Sequence, residues 1–166
     1  LLPADFSYRR MDIVLDEAKK PNVLRKKLKM LSDDYDYVIL DCPPGMTLVS
    51  ENIFDAVDAL VVPLIPTTLS LRTFEQLLSF CVSNKLKSLK IMPFFSMVDM
   101  RKSLHKEILN RLPKERPGFL KAVIPYASDV ERMGIMRAPL GTFAPKSRST
   151  IAYYNLWREI KRKLSR

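Results

Sequence analysis

Short unbroken apolar runs alternate along this chain with longer stretches in which apolar residues recur every three or four positions. The run Tyr37-Val38-Ile39-Leu40 follows a polar turn over residues 32–36 and contains no polar alternation. That is the pattern of a strand covered on both faces. Leu60-Val61-Val62, residues 90–96 and Ala122-Val123-Ile124 repeat it. Between these runs the period changes. Residues 23–31 place Leu24, Leu28 and Leu31 on one helical face with Lys and Arg opposite. A second helix is predicted from Thr67 or Thr68, either a suitable N-cap, with Leu71, Phe74, Leu78 and Cys81 at helical spacing. Leu104, Ile108 and Leu112 define a third, closed by Pro113, and Tyr153, Trp157, Ile160 and Leu164 stripe a fourth over residues 147–164. Strands alternating with helices predict an α/β fold, a parallel sheet with helices on both faces. Residues 113–118 read as an irregular surface loop. Pro43, Pro44, Pro63, Pro66 and Pro125 fall at or just past the carboxyl ends of predicted strands, where open α/β sheets bind ligands.

Composition narrows the class. The 166 residues, 47% hydrophobic and 28% charged, amount to one globular domain with a sizeable core. No apolar run approaches the roughly 20 residues of a membrane span, and no secretory leader is visible. The chain opens Leu1-Leu2-Pro3 without Met, so the gene product is expected to begin upstream. Cys42 and Cys81 belong to no metal-ligand spacing, and reduced thiols of a cytoplasmic protein are expected. Charge is uneven. Residues 101–166 hold sixteen Lys and Arg against five Asp and Glu, a net of +11, whereas the first hundred residues net −1. A basic third of this kind suits a polyanionic partner, or simply a solvated face.

The chemistry concentrates at the end of the first apolar run. A buried strand through Leu40 would hold the Asp41 backbone rigidly and aim its carboxylate beyond the sheet, where a hard oxygen ligand can hold Mg²⁺ or its bound water. Pro43 and Pro44 stiffen the turn, and Gly45 lets a backbone N–H approach a phosphate oxygen. His105 is the only histidine; it is expected as an exposed helical residue, and no Ser-His-Asp or Cys-His arrangement can be assembled around it. The methionines read as core filler.

In order, Asp36-Tyr37-Val38-Ile39-Leu40-Asp41-Cys42-Pro43-Pro44-Gly45 and then Ala59-Leu60-Val61-Val62-Pro63-Leu64-Ile65-Pro66-Thr67 resemble the C-terminal part of the ParA/MinD ATPases, partition and positioning enzymes with a deviant Walker A loop. Val98-Asp99-Met100-Arg101-Lys102 resembles the Asp-x-Arg element after the next strand of that family. Val123-Ile124-Pro125, Ala144-Pro145-Lys146-Ser147-Arg148 and a last helix with Tyr154 and Glu159 continue the likeness over nearly the whole chain. The departure is upstream. Nothing resembles the family's Lys-Gly-Gly-x-Gly-Lys-Thr loop, and the four glycines, at 45, 118, 134 and 141, build no phosphate cradle. The resemblance therefore implies a P-loop NTPase-like three-layer fold with a mostly parallel sheet, N-terminally truncated. Residues 1–166 would form a single, partial ParA-type ATPase domain, with Leu1-Leu2-Pro3-Ala4-Asp5 matching the mid-domain strand and its turn.

The same resemblance implies ATP and Mg²⁺ as cofactors of the complete protein, with Asp41 at the metal and Gly45 at the γ-phosphate. Met97, Asp99, Pro125 and Tyr126 would lie near the adenine or a dimer face. It implies an ATP-dependent self-dimer, a stimulating DNA-bound adaptor protein, and DNA rather than membrane as the polyanion. Arg101, Lys102, Arg132, Arg148 and Arg158 are the candidate DNA contacts. The expected function is ATP hydrolysis driving plasmid or chromosome partition, with no turnover by this chain alone because the catalytic lysine and aspartate of the family lie in the missing part. Two alternatives remain open at this level: a non-catalytic module that binds partners or DNA, and a cofactor-assembly ATPase of the same fold.

Overall fold

The computed structural model describes residues 23–42, 48–86 and 88–165. They carry, in chain order, α1 (Val23–Lys29), α2 (Leu48–Ala56), β1 (Ala59–Leu64), α3 (Thr68–Ser83), β2 (Lys90–Val98), α4 (Ser103–Glu115), β3 (Val123–Pro125), α5 (Ser128–Met136), α6 (Leu140–Phe143) and α7 (Arg148–Leu164). The chain divides into two compact units, residues 1–58 with 81–89, and residues 59–80 with 90–166.

The second unit contains the sheet. Its strands run in the order β1-β2-β3, parallel throughout, with Leu60 opposite Ile91 and Leu64 opposite Phe95. Parallel neighbours need crossovers, and α3 and α4 supply them. One apolar layer joins Leu64, Phe95 and Val98 of the sheet to Phe74 of α3, Ile108 and Leu112 of α4, and Phe119. The Phe95 ring stacks on Phe119 at 4.9 Å, and Phe74 meets Phe119 edge-on at 5.9 Å. A second layer, on Met92, Phe94 and Ile124, packs Leu120 with Leu156 and Ile160 of α7. Helices thus cover both sheet faces, and the expected three-layer α/β architecture is present.

Alternation along β2 breaks once, and the break positions the site. Strict alternation from Phe95 would send residue 97 into the first layer. Instead the register shifts between Phe95 and Val98, and Met97 takes the left-handed φ of 53°. This bulge returns Val98 to the core, 3% exposed, and turns Met97 outward, 45% exposed.

Ends of elements follow local chemistry. Thr67 caps α3, its Oγ1 accepting from the N–H of Ser70, and Ser147 caps α7, its Oγ accepting from the N–H of Thr150 at 3.1 Å. Pro113 does not close α4, which runs on to Glu115, so the expected loop begins later. A proline in the last turn removes only one N–H donor, and the Arg116 N–H still reaches the Leu112 carbonyl at 2.9 Å. Gly118 then takes a φ of 115°. Its carbonyl accepts from Lys163 Nζ of α7 at 3.0 Å, and two residues on the Leu120 N–H bonds the Pro93 carbonyl of β2. A Cβ at residue 118 would meet only the Ile91 carbonyl oxygen, at 3.7 Å. The cost of Gly118→Ala therefore lies in the backbone. The substitution is expected to destabilise the protein by about 1–3 kcal/mol, read as a lowered urea midpoint with an unchanged slope.

The first unit departs from expectation. Residues 37–40 form no strand, and Tyr37, Val38 and Ile39 are 43%, 43% and 79% exposed. Apolar composition suits a strand, but a strand also needs a neighbour for its backbone N–H and C=O groups. Among the described residues of this unit no strand is present, and the segment runs irregularly. Helix α1 forms as its spacing predicts. Helix α2 was not anticipated; it contributes buried Ile53 and Phe54.

Candidate functional site at the carboxyl edge of the sheet

Parallel strands deliver their carboxyl ends to one edge, and in the second unit that edge carries Asp99, Arg101 and Tyr126 among the polar side chains singled out above. Strand β2 ends at Val98 and passes into Asp99 and Arg101; β3 ends at Pro125 and passes into Tyr126. The two exits are tied together by the Tyr126 N–H donating to the Val98 carbonyl at 2.9 Å. Met97, turned out by the bulge, and half-exposed Tyr126 supply apolar surface there.

Asp99 and Arg101 form a closed pair. The carboxylate accepts from Arg101 three times: from its backbone N–H at 3.0 Å, from Nε at 2.9 Å and from Nη2 at 2.8 Å. The Asp99 side chain is 12% exposed and that of Arg101 85%. These side-chain and backbone hydrogen bonds, chiefly, hold the Asp99 carboxyl far below the usual carboxylate range. The pair is thus a fixed ionic shelf with one face in solvent, and Asp99 is ionised at any physiological pH. The Glu131 carboxylate of α5 beside it pushes the Tyr126 phenol up, so its hydroxyl stays protonated.

His105 corrects the sequence expectation. It is buried, 4% exposed, and its Nδ1 accepts from the Asp99 backbone N–H at 3.1 Å. Sequence pattern missed this because it sits three residues from Ile108 in a helix whose apolar face it extends, a position that reads as surface only when histidine is counted as polar.

Two further carboxylates brace the sheet unit. Glu159 of α7 accepts from the backbone N–H groups of Lys121 and Ala122 at 2.8 and 3.0 Å, anchoring the entry to β3. Burial draws the Asp129 carboxyl upward, but hydrogen bonds from Ser147, Ser149 and Val130 outweigh it and leave it below its usual range. The Ser149 hydroxyl, in the first turn of α7, donates to Asp129 at 2.9 Å and so ties α5 to α7.

The remaining candidates are placed as follows. Asp41 lies in the first unit and is exposed, next to exposed Cys42. Partial desolvation and the Asp41 carboxylate raise the Cys42 thiol above its usual range, the state of an unreactive thiol. Gly45, Pro43, Pro44 and residues 1–5 fall outside the described residues. Lys102, Arg132, Arg148 and Arg158 are all exposed. Among the described residues no three His, Cys, Asp or Glu side chains converge as a metal cluster, and no helix is long and apolar enough to cross a membrane.

A family model described as "AAA domain" matches residues 1–91. The chain is 32% identical over 146 residues to a virulence plasmid ParA family protein of Chlamydia psittaci, covering 86% of this chain and 56% of that protein. It is 28% identical over 142 residues to the sporulation initiation inhibitor protein Soj of Bacillus subtilis, covering 82% and 56%. A ParA family protein of Mycoplasma genitalium is 25% identical over 174 residues, covering 99% and 63%. The chain thus spans between half and two thirds of the length of these relatives.

Proposed function

Because the chain belongs to the AAA-domain family, in its ParA-like branch, we propose that it is the metal-binding, base-facing and DNA-facing portion of an ATPase that partitions a plasmid or chromosome. The observation that carries this reading is the shelf at the carboxyl edge of the sheet, where Met97, the Asp99–Arg101 pair, Pro125 and Tyr126 come together. A thioether and a phenol beside fixed ionic groups suit a flat heteroaromatic ring bearing polar edges.

Asp41 would hold Mg²⁺ in the full-length protein. A lone exposed carboxylate suits this ion, which keeps several waters and takes one or two carboxylates together with substrate phosphates rather than an all-protein cage. Bound Mg²⁺ neutralises charge that develops on the transferred phosphoryl group. Gly45 would present its backbone N–H to the γ-phosphate. The phosphate cradle and the residue that orients attacking water are assigned to upstream sequence, as in the family. ATP-dependent self-association and stimulation by a DNA-bound adaptor protein complete the proposal.

Arg101, Lys102, Arg132, Arg148 and Arg158 are assigned to DNA phosphates, supported by the net charge of +11 over residues 101–166 and by the exposure of all five side chains. Binding should be tolerant of sequence and steep in salt. Fluorescence anisotropy of the full-length protein with ATP, Mg²⁺ and mixed-sequence duplex tests this. The double substitution Arg148→Ala with Arg158→Ala is expected to weaken binding about 10-fold and to lower the salt slope by about 2. An unchanged slope would remove both residues from the interface.

A further inference from the structure

The loop leaving β2 is held at three backbone points. The Val98 carbonyl accepts from the Tyr126 N–H at 2.9 Å, the Asp99 carbonyl accepts from the Lys102 N–H at 3.1 Å, and the Asp99 N–H donates to His105 Nδ1 at 3.1 Å. Two of these are backbone pairs that nearly any sequence can form. The third depends on one side chain. His105 is buried on the first turn of α4, so its ring is fixed by the core beneath it, and Nδ1 must carry a lone pair to accept. Directly upstream, Met97 occupies a left-handed conformation that costs about 1 kcal/mol or more. The Asp99 carboxylate braces the loop from within through the Arg101 N–H at 3.0 Å, whereas the contact with His105 ties the strained bulge and the loop after it to a buried side chain.

We infer that His105 is a positioning residue: by accepting the Asp99 N–H from inside the core it fixes the 97–102 loop, and with it the orientation of the Arg101 guanidinium and the outward pose of Met97. The Asp99 carboxylate makes its three hydrogen bonds to Arg101 from a backbone whose direction this contact sets. His105 itself touches no ligand. The consequence for nucleotide affinity rests on the function proposed above, whereas the consequence for the loop does not.

Asparagine and glutamine separate the tether from simple filling of space. Asn Oδ1 can occupy the place of Nδ1, whereas Gln carries its acceptor farther out, where Nε2 lies. In the full-length protein, amide hydrogen exchange resolved at Asp99 and Arg101 is expected to be roughly fivefold to tenfold faster in His105→Gln and close to the unsubstituted rate in His105→Asn. The KM for ATP is expected to rise by a similar factor in His105→Gln and to recover in His105→Asn, with kcat unchanged in both. Unaltered Asp99 exchange in His105→Gln, or equal acceleration in both variants, would overturn the inference. Faster exchange rescued by Asn with no change in KM would leave His105 as the tether of this loop and remove the loop from the nucleotide site instead.

Discussion

Alanine in place of Asp41 is expected to lower Mg²⁺-dependent ATP hydrolysis by the full-length protein by about 100-fold or more. Asp41 is exposed, and among the described residues no cluster of three His, Cys, Asp or Glu side chains could hold the ion in its stead. A metal held through a protein carboxylate and the substrate's own phosphates loses a fixed anchor when that carboxylate goes. The same exposure predicts little effect on folding, within about 0.5 kcal/mol. Asp41→Asn keeps the size and removes the charge, so it should fall close to the alanine variant if ion binding is what matters. Phosphate release measured across a Mg²⁺ titration, alongside thermal unfolding, separates the two effects. Full activity in Asp41→Ala at limiting Mg²⁺ would remove the metal assignment.

The second large effect concerns the core. Phe95→Ala should destabilise the protein by about 3–5 kcal/mol. Phe95 is 2% exposed at the centre of the sheet, opposite Leu64 in β1 and Val123 in β3, and its ring stacks on Phe119. Truncation removes that stacking and leaves a void bounded by side chains from both crossover helices, which cannot all move in to fill it. Phe95→Leu keeps most of the volume and should cost far less. Urea unfolding of the two variants checks the order. Such a loss is a large part of the stability of an ordinary domain, so Phe95→Ala should also accumulate poorly on expression.

Most of the sheet unit was legible in the pattern of apolar positions. Residues 60–62, 90–96 and 122–124 are short continuous runs, and each lies within or overlaps an observed strand. The extent of α7 was legible too, but its buried side only in part: Ile160 of the predicted stripe is buried, Tyr153 is 37% exposed, and buried Leu156 lay outside the stripe. The bulge at Met97 was not legible, because nothing in Phe-Phe-Ser-Met-Val marks where alternation slips; the register of β3 decides it. The tether from His105 was hidden for a similar reason, since its partner is a backbone N–H and leaves no trace in sequence. Helix α5 was missed although Asp129 and Glu131 stand in its first turn, a dipole signal that went unread. The failure at residues 37–40 is of another kind. Four apolar residues specify that a strand is acceptable, and only a neighbour makes one.

The division of roles follows from that contrast. The carboxyl-edge shelf is built wholly within the sheet unit, from groups that hydrogen bonds hold in place. Asp41 belongs to the other unit, and its proposed role rests on the resemblance of residues 36–45 to the ParA/MinD family. The central claim is therefore chemical: that the full-length protein turns over ATP with Mg²⁺. Phosphate release from ATP by the purified full-length protein, with and without Mg²⁺ and mixed-sequence duplex DNA, tests it most directly. The account predicts turnover that requires Mg²⁺ and depends on Asp41. Absence of turnover in a folded full-length protein under all these conditions, or turnover indifferent to Mg²⁺, would contradict it.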